Sequence, residues 1–348
     1  MVVIIFMVTA AFAIAFLCCA LISSRAHKWS LVDKPNHRSS HLVPTPSGGG
    51  IGLVVAGSLT GIYLLAFAEP FLYGFVVLSL SSVLAGIGLQ DDRKPMPARL
   101  RLGIQIALAA ILLFVLGGLP EMQRFVNAWF SRTLIYAFLL LVIVWWINLF
   151  NFMDGIDGLA GMQAIFMLLG GVFLLVAPRQ ELISDPGIVW MMCIAGATAG
   201  FLLLNWAPAK IFMGDVGSIY LAFMLLSFGL LSIRSEFVSV VTGLSMWAIL
   251  GATFATDATI TLITRMLTTR RWHEAHRSLL YQRLARRLGG HNLVTLLYSA
   301  VNILWLLPLA YLCVRYPQWA VACAVAAYLP LIAVAIGLGA GRSDKNFR

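Results

Sequence analysis

Eleven apolar stretches separated by short polar loops constrain this chain more than any other feature. They lie near residues 2–22, 48–68, 71–90, 102–119, 133–150, 158–176, 187–204, 216–233, 237–264, 293–313 and 319–339. Each approaches or exceeds the ~20 residues that a helix needs to cross a bilayer. Inside lipid every backbone N–H and C=O must be satisfied within the protein, so the spanning form is helical. With 61% hydrophobic and only 11% charged residues, a water-soluble domain is excluded. The sequence therefore predicts an all-α, polytopic membrane protein of about 11 transmembrane helices, forming one domain over residues 1–348. The first stretch lacks a basic leader and a small-residue cleavage site, so it is expected to remain as a span. Cys18, Cys19, Cys193, Cys313 and Cys323 lie in apolar stretches without metal-type spacing and read as packing residues.

Lys and Arg favour the cytoplasmic side of a membrane, which sets an expected orientation. With the 23–47 loop cytoplasmic, alternation puts loops 91–101, 151–157, 205–215 and 265–292 and the C-terminus on the same side. That side then carries 19 of the 24 Lys and Arg. The N-terminus is expected outside and the C-terminus in the cytoplasm. Asp91, Asp92, Asp154, Asp157 and Asp215 all fall on the cytoplasmic side as well. Charge is costly at a membrane boundary unless it is used, so carboxylates gathered at helix ends point to a metal-dependent site on one face. The net charge of +10 resides mostly in these inner loops. It reads as topology plus attraction to anionic membrane lipids, or as cations that hold the phosphates of an anionic substrate. No nucleic-acid-binding motif is present, and nucleic acid is not expected as a partner.

Five segments could carry chemistry. Loop 33–50 contains three prolines, which favour a rigid path, and ends in Gly48-Gly49-Gly50 at the start of a helix, where anions bind well. Lys34 and Arg38 are the candidate phosphate contacts there. Asp91-Asp92 are adjacent carboxylates that need a cation, a metal or a raised pKa beside them. Arg93 and Lys94 could neutralise them as an interfacial cap, or the pair could bind Mg²⁺ or act as a general base. Asn148, Asn151, Asp154 and Asp157 recur every three residues, which gives one polar stripe if the segment is helical.

Asp215 is flanked by Gly214 and Gly217 in a stretch that begins at Asn205. Asp215 with Asn151 suits a hard cation whose remaining ligands come from substrate phosphate. Phe212 could stack on a base, or serve as an interfacial aromatic. Asp257 lies inside an apolar run among Thr253, Thr256, Thr259 and Thr261, and reads equally as structural or as lining a site. The 265–292 loop holds seven arginines, with His273, His276 and His291. Its Glu274–Leu288 part can form a basic amphipathic helix on the membrane, and His276 and Arg277 can reach a diphosphate.

Taken together, these motifs resemble the polyprenyl-phosphate N-acetylhexosamine-1-phosphate transferase superfamily. The likeness runs from Asp33 to His291. It rests on Asp33-Lys-Pro-Asn-His-Arg-Ser-Ser-His41 with Pro44-Thr-Pro-Ser-Gly-Gly-Gly50, Asp91-Asp92, Asn151-Phe-Met-Asp-Gly-Ile-Asp-Gly-Leu159, Phe212-Met-Gly-Asp-Val-Gly-Ser218 and Asp257-Ala-Thr. The resemblance implies transfer of a sugar 1-phosphate from a UDP-N-acetylhexosamine to undecaprenyl phosphate, with release of UMP, at the cytoplasmic face of a bacterial inner membrane. UDP-GlcNAc is the commonest donor of such enzymes, and UDP-GalNAc, UDP-FucNAc and UDP-QuiNAc stay open. It also implies Mg²⁺, for which Mn²⁺ can substitute, at Asp215 with Asn151, and a homodimer.

By the same likeness, Asp91-Asp92 would orient or deprotonate the lipid phosphate and Asp154 would lie beside the diphosphate. Asp157, Asn205 and Phe212 would meet the uridine, and His276 and Arg277 the diphosphate. The chain departs from the family's histidine-rich loop at one place: Ala275-His276-Arg277-Ser278 is followed by Leu279, where a histidine is expected. This puts a two-histidine role in doubt.

Two other readings compete. A CDP-alcohol phosphotransferase would need further aspartates shortly after Asp154-x-x-Asp157-Gly158, yet the next acid is Glu181. An ion- or proton-coupled transporter would favour acids near the midplane and inverted repeats, whereas here most acids sit at one face and no repeat is visible.

Overall fold

The computed structural model describes residues 1–33, 35, 43–68, 72–117, 129–269 and 277–342. Ten of its helices are long and apolar enough to cross a membrane, and a bent pair has the length and composition of an eleventh. In chain order the helices are α1 (Val2–Arg25), α2 (Gly50–Phe67), α3 (Leu72–Arg93), α4 (Ala98–Val115), α5 (Trp129–Met153), α6 (Leu159–Val176) and α7 (Pro186–Asn205). There follow α8 (Asp215–Arg234), α9 (Val240–Leu250), α10 (Ala252–Thr268), α11 (Leu280–Leu288), α12 (His291–Val301), α13 (Leu307–Arg315) and α14 (Ala320–Gly337). A π-helical turn, Asn302–Leu306, joins α12 to α13 in one span. The only strands among the described residues are β1 (Val32–Asp33) and β2 (Thr45–Pro46), an antiparallel clip that closes the loop between α1 and α2.

Helix α8 is the hub and is almost wholly buried inside the protein. It packs on α2, α3, α5 and α9, while α1 lies against α2 and α7. A helix that is apolar all round and enclosed on every side is the expected core of such a bundle. Tyr220, Phe223 and Phe228 of α8 are fully buried, and Trp190 of α7 meets Phe228 edge-on at 5.7 Å.

The stretch read from sequence as one run over 237–264 is broken: α9 and α10 meet at a 74° bend around Gly251. A break inside lipid frees backbone groups that need new partners. Gln163 of α6 supplies one, donating from Nε2 to the Leu250 carbonyl at 2.9 Å. Its Oε1 accepts from Asn302 Nδ2 at 2.7 Å and from Thr253 Oγ1 at 3.2 Å, so three buried polar side chains pin the bend. Two other boundaries differ from the sequence reading. Helix α3 continues through Asp91 and Asp92 to Arg93, and α5 ends at Met153, so that only Asn148 and Asn151 of the expected stripe are helical.

Helices α3, α5 and α7 finish, and α6, α8 and α12 begin, at the same end of the bundle, as the contacts among their terminal residues require. The acidic residues are gathered there.

Candidate active site

The site is built on the first turn of α8. Gly88 of α3 lies so close to this turn that an added Cβ would sit 2.6 Å from the Asp215 carbonyl oxygen. Small residues allow such helix contact in membranes. One turn further along α3, Asp92 reaches the N-terminus of α8. Its Oδ1 accepts from the Asp215 N–H at 2.8 Å and its Oδ2 from the Val216 N–H at 3.1 Å. A carboxylate is favoured there because the N–H groups at a helix start are unpaired and carry partial positive charge. Gly214 completes the junction: its φ of +76° suits glycine, and a side chain there would strike Asp92 Oδ2.

Asp215 therefore follows directly on a capping carboxylate. Its Oδ1 accepts from Asn151 Nδ2 at 2.8 Å, and the same nitrogen donates to Ser218 Oγ at 2.8 Å. Arg101 of α4 approaches Asp215 Oδ2 to 3.3 Å and pairs more tightly with Asp91, whose Oδ1 also accepts from the Met96 N–H. Asp91 stays out of the cavity lining and touches the site at its edge, through Arg101 and through the Asp215 carboxylate itself. The two adjacent aspartates, read as one unit from sequence, have different partners.

Past the end of α5, Asp154 and Asp157 occupy the turn into α6. Asp157 Oδ2 accepts from the Ala209 N–H at 3.1 Å and lies 3.2 Å from His291 Nδ1. Asn205 joins the same region, accepting from the Gly158 N–H and donating to the Ile211 carbonyl, both at 2.9 Å. Both ends of its amide are engaged, so it braces the loop that carries Phe212. That loop is tied in turn to β2 and α2: the Phe212 N–H donates to the Pro46 carbonyl and its carbonyl accepts from the Gly49 N–H, each at 2.8 Å.

Together these elements enclose a cavity of about 480 Å³ whose lining includes Asp92, Asn151, Asp154, Asp157, Asn205, Phe212, Asp215, Gln282 and His291. Among the described residues the side chain of Asp154 has no hydrogen-bond partner, and it faces this space half-buried. Burial, with the charges of Asp215, Asp92 and Asp157 added, pushes its carboxyl up to about 8. Such accumulated negative charge suits a cation. Among the described residues no trio of His, Cys, Asp and Glu could hold a metal unaided. Mg²⁺ does not require one, since it commonly takes one or two carboxylates and completes its shell with phosphate oxygens and water. The hard oxygen donors of Asp215, Asn151 and Asp154 fit that pattern.

Of the residues expected from sequence, Asn151, Asp154, Asp157, Asn205, Phe212, Asp215 and Asp92 converge on one cavity. Asn148 does not, because its amide is engaged by Gln105 Oε1 and the Val144 carbonyl. Arg277 starts the segment leading to α11 and is not among the lining residues, and Leu279 is packed into the core. Lys34, Arg38 and His276 lie outside the described residues. Asp257 is structural: its carboxylate accepts from the N–H groups of Leu280 and Tyr281 at 2.7 and 2.9 Å and from the Tyr298 hydroxyl at 2.8 Å. Arg101, Gln282 and His291 were not singled out as site residues. Arg101 and His291 show in the sequence only as polar side chains beside a span terminus, and Gln282 only as one of many polar residues in the basic 265–292 loop.

The profile of glycosyl transferase family 4 matches residues 74–234, which carry Asp91, Asp92, Asn151, Asp154, Asp157 and Asp215. The decaprenyl-phosphate N-acetylglucosaminephosphotransferase of Mycobacterium leprae is 30% identical over 233 residues, 61% of this chain and 57% of the relative. The "Probable undecaprenyl-phosphate N-acetylglucosaminyl 1-phosphate transferase" of Bacillus subtilis is 28% identical over 293 residues, 80% of this chain and 76% of the relative. The phospho-N-acetylmuramoyl-pentapeptide-transferase of Nocardia farcinica is 31% identical over 252 residues, 61% of this chain and 70% of the relative. The chain spans little more than half the length of the mycobacterial relatives it matches. Family profile and relatives agree: the chain belongs to glycosyl transferase family 4, within the polyprenyl-phosphate N-acetylhexosamine-1-phosphate transferase superfamily.

Proposed function

We propose that the protein transfers an N-acetylhexosamine 1-phosphate, GlcNAc-1-phosphate as the first candidate, from a UDP-sugar to undecaprenyl phosphate. The observation that carries this reading is the convergence of four carboxylates, Asp92, Asp154, Asp157 and Asp215, on one cavity at one end of the bundle. An oxygen of the lipid phosphate attacks the β-phosphorus of the UDP-sugar. The bond from that phosphorus to the bridging oxygen breaks, and UMP leaves with the electron pair. Reactants and leaving group are all anionic, so neutralising and aligning charge supplies most of the catalysis.

Asp215, with Asn151 and Asp154, would hold Mg²⁺, which when bound neutralises the charge that develops on the phosphates. Asp92 keeps the start of α8, and so Asp215, in register with the cavity. Arg101 holds Asp91 and Asp215 at a fixed separation. Asp154, without a side-chain partner of its own, is the group free to meet the diphosphate or to take a proton from the lipid phosphate. Phe212 offers a face to the uracil ring. The acceptor's tail stays in lipid while its phosphate reaches the helix ends, which is why this chemistry suits the end of a membrane bundle. The excess of Lys and Arg in the inner loops favours the cytoplasmic side, and initiation of a cell-envelope polysaccharide of the O-antigen type is the role that fits.

The test is UMP release by purified protein supplied with undecaprenyl phosphate, Mg²⁺ and one of UDP-GlcNAc, UDP-GalNAc, UDP-FucNAc or UDP-QuiNAc. Release that requires both the lipid and one of these sugars is expected. No release with any donor would count against the transferase.

A further inference from the structure

We propose that Gln282 reads the transferred sugar, its Oε1 accepting a hydrogen bond from a hydroxyl or acetamido N–H of the hexosamine. The inference rests on the UDP-sugar reading above and deepens it. Gln282 is 8% exposed, lines the cavity beside Asp154 and Asp157, and its Oε1 has no hydrogen-bond partner among the described residues. A buried carbonyl oxygen without a partner is costly, and a native protein keeps one where something else completes it.

The geometry that aims this side chain is rigid. Gln282 is the third residue of α11, and the N–H groups of the first two, Leu280 and Tyr281, are held by the Asp257 carboxylate. The Tyr281 hydroxyl donates to the Phe152 carbonyl at 3.0 Å, fixing α11 to the end of α5. Gly155 leaves the room this requires, since an added Cβ would meet that hydroxyl at 2.0 Å. Asp257 is thus a positioning residue, buried away from the cavity that Gln282 faces. An amide held on so ordered a frame is placed to select, because a site built to hydrogen-bond a substrate group discriminates against analogues lacking it.

The chemistry of the ligand follows from what a neutral acceptor can use. A diphosphate offers only acceptors, so the matching N–H or O–H belongs to the nucleoside or the sugar. Phe212 stands on the wall tied to β2 and α2, whereas Gln282 stands on the wall tied to α5 and α10. With uracil against Phe212 and the phosphates at Asp215 and Asp154, the remaining moiety, the sugar, lies toward Gln282.

Isothermal titration of the full chain in detergent with Mg²⁺, using UDP, UDP-GlcNAc and UDP-GalNAc in turn, tests the assignment. Gln282→Met keeps the length of the side chain and removes the acceptor. It is expected to weaken binding of the preferred UDP-sugar roughly five- to tenfold, the worth of one neutral hydrogen bond, and to leave UDP within about twofold. Its melting temperature is expected to stay within a few degrees of wild type, because the oxygen removed has no partner among the described residues and the amide nitrogen lost with it bonds only the Tyr281 hydroxyl of the same helix. Gln282→Asn, which withdraws the amide by one methylene, is expected to reproduce the same split and serves if the Met variant does not fold. An equal loss for UDP and the UDP-sugars, or no loss for either, would overturn the role of Gln282. Wild-type protein that binds neither UDP nor a UDP-sugar would instead overturn the nucleotide-sugar reading beneath it.

Discussion

Asp92 and Asp257 do the same local work in two regions of the molecule. Each lies on an apolar helix of the bundle, and each carboxylate accepts from two successive N–H groups at the start of another helix, α8 for Asp92 and α11 for Asp257. Their surroundings differ. Around Asp257 the remaining valences are met by the hydroxyls of Tyr298 and Thr261, and among the described residues no other carboxylate is bonded to it. Around Asp92 stand Asp215 and Asp154 with the open cavity between them. A capping aspartate is therefore no mark of a site. The uncompensated negative charge that gathers when several converge is what marks one.

Breaking the open end should be the most damaging to turnover. Asp215→Asn is expected to lower kcat by about a thousandfold, as loss of a metal ligand and of its charge stabilisation implies, with thermal stability nearly unchanged. Wild-type turnover at ordinary Mg²⁺ would remove Asp215 from the site. Asp92→Asn, which keeps an acceptor for one N–H, is expected to cost about a hundredfold in kcat, again with little change in melting temperature.

The closed end should behave in the opposite way. Asp257→Ala strands two N–H groups and a tyrosine hydroxyl in the interior, and is expected to cost about 3 kcal/mol of stability. Turnover per folded molecule is expected to fall less than tenfold, with the loss in KM for the UDP-sugar rather than in kcat, because Gln282 is displaced while Asp215 is not. Equal effects of Asp92→Asn and Asp257→Ala on kcat would erase the distinction between the two ends.

A smaller effect sharpens the same contrast through pH. The Asp154 carboxyl is raised to about 8 in the folded protein, above its ordinary value of 3.8. A group raised in this way binds more protons folded than unfolded between those two values. Its contribution to stability is full below the unfolded value and is lost as pH rises through the folded one. Metal-free wild type is therefore expected to lose melting temperature between about pH 4 and pH 8. Asp154→Asn should flatten that decline by a few degrees while abolishing turnover. A wild-type curve as flat as that of the variant would deny the burial and neighbouring charge that raise this carboxyl.

The sequence made the bundle legible because the lipid allows so few alternatives. Apolar runs of spanning length had to be helices, and all but one appear as unbroken spans. The exception shows the limit. The bend at Gly251 depends on Gln163 and Asn302, which lie far along the chain from it and on other helices. The acidic residues were legible as a group because charge in an apolar chain is conspicuous. Their division of labour was not. Asp91 and Asp92 are neighbours in sequence, yet the turn of α3 sends one to Arg101 and the other to α8.

Asn205, read as a substrate contact, lines the cavity and also braces the loop of Phe212 through both ends of its amide, a second task that the sequence does not signal. His291 and Gln282 escaped notice because the contacts that place them, Asp157 with His291 and Phe152 with the neighbouring Tyr281, span more than 120 residues of chain, a pairing that periodicity does not encode.

The most direct measurement is Mn²⁺ binding followed by electron paramagnetic resonance on purified protein with UDP-GlcNAc, comparing wild type, Asp215→Asn and Asp257→Asn. We expect one bound ion per chain in wild type and in Asp257→Asn, and its loss in Asp215→Asn. Undiminished Mn²⁺ binding in Asp215→Asn would contradict a divalent cation held where the carboxylates converge.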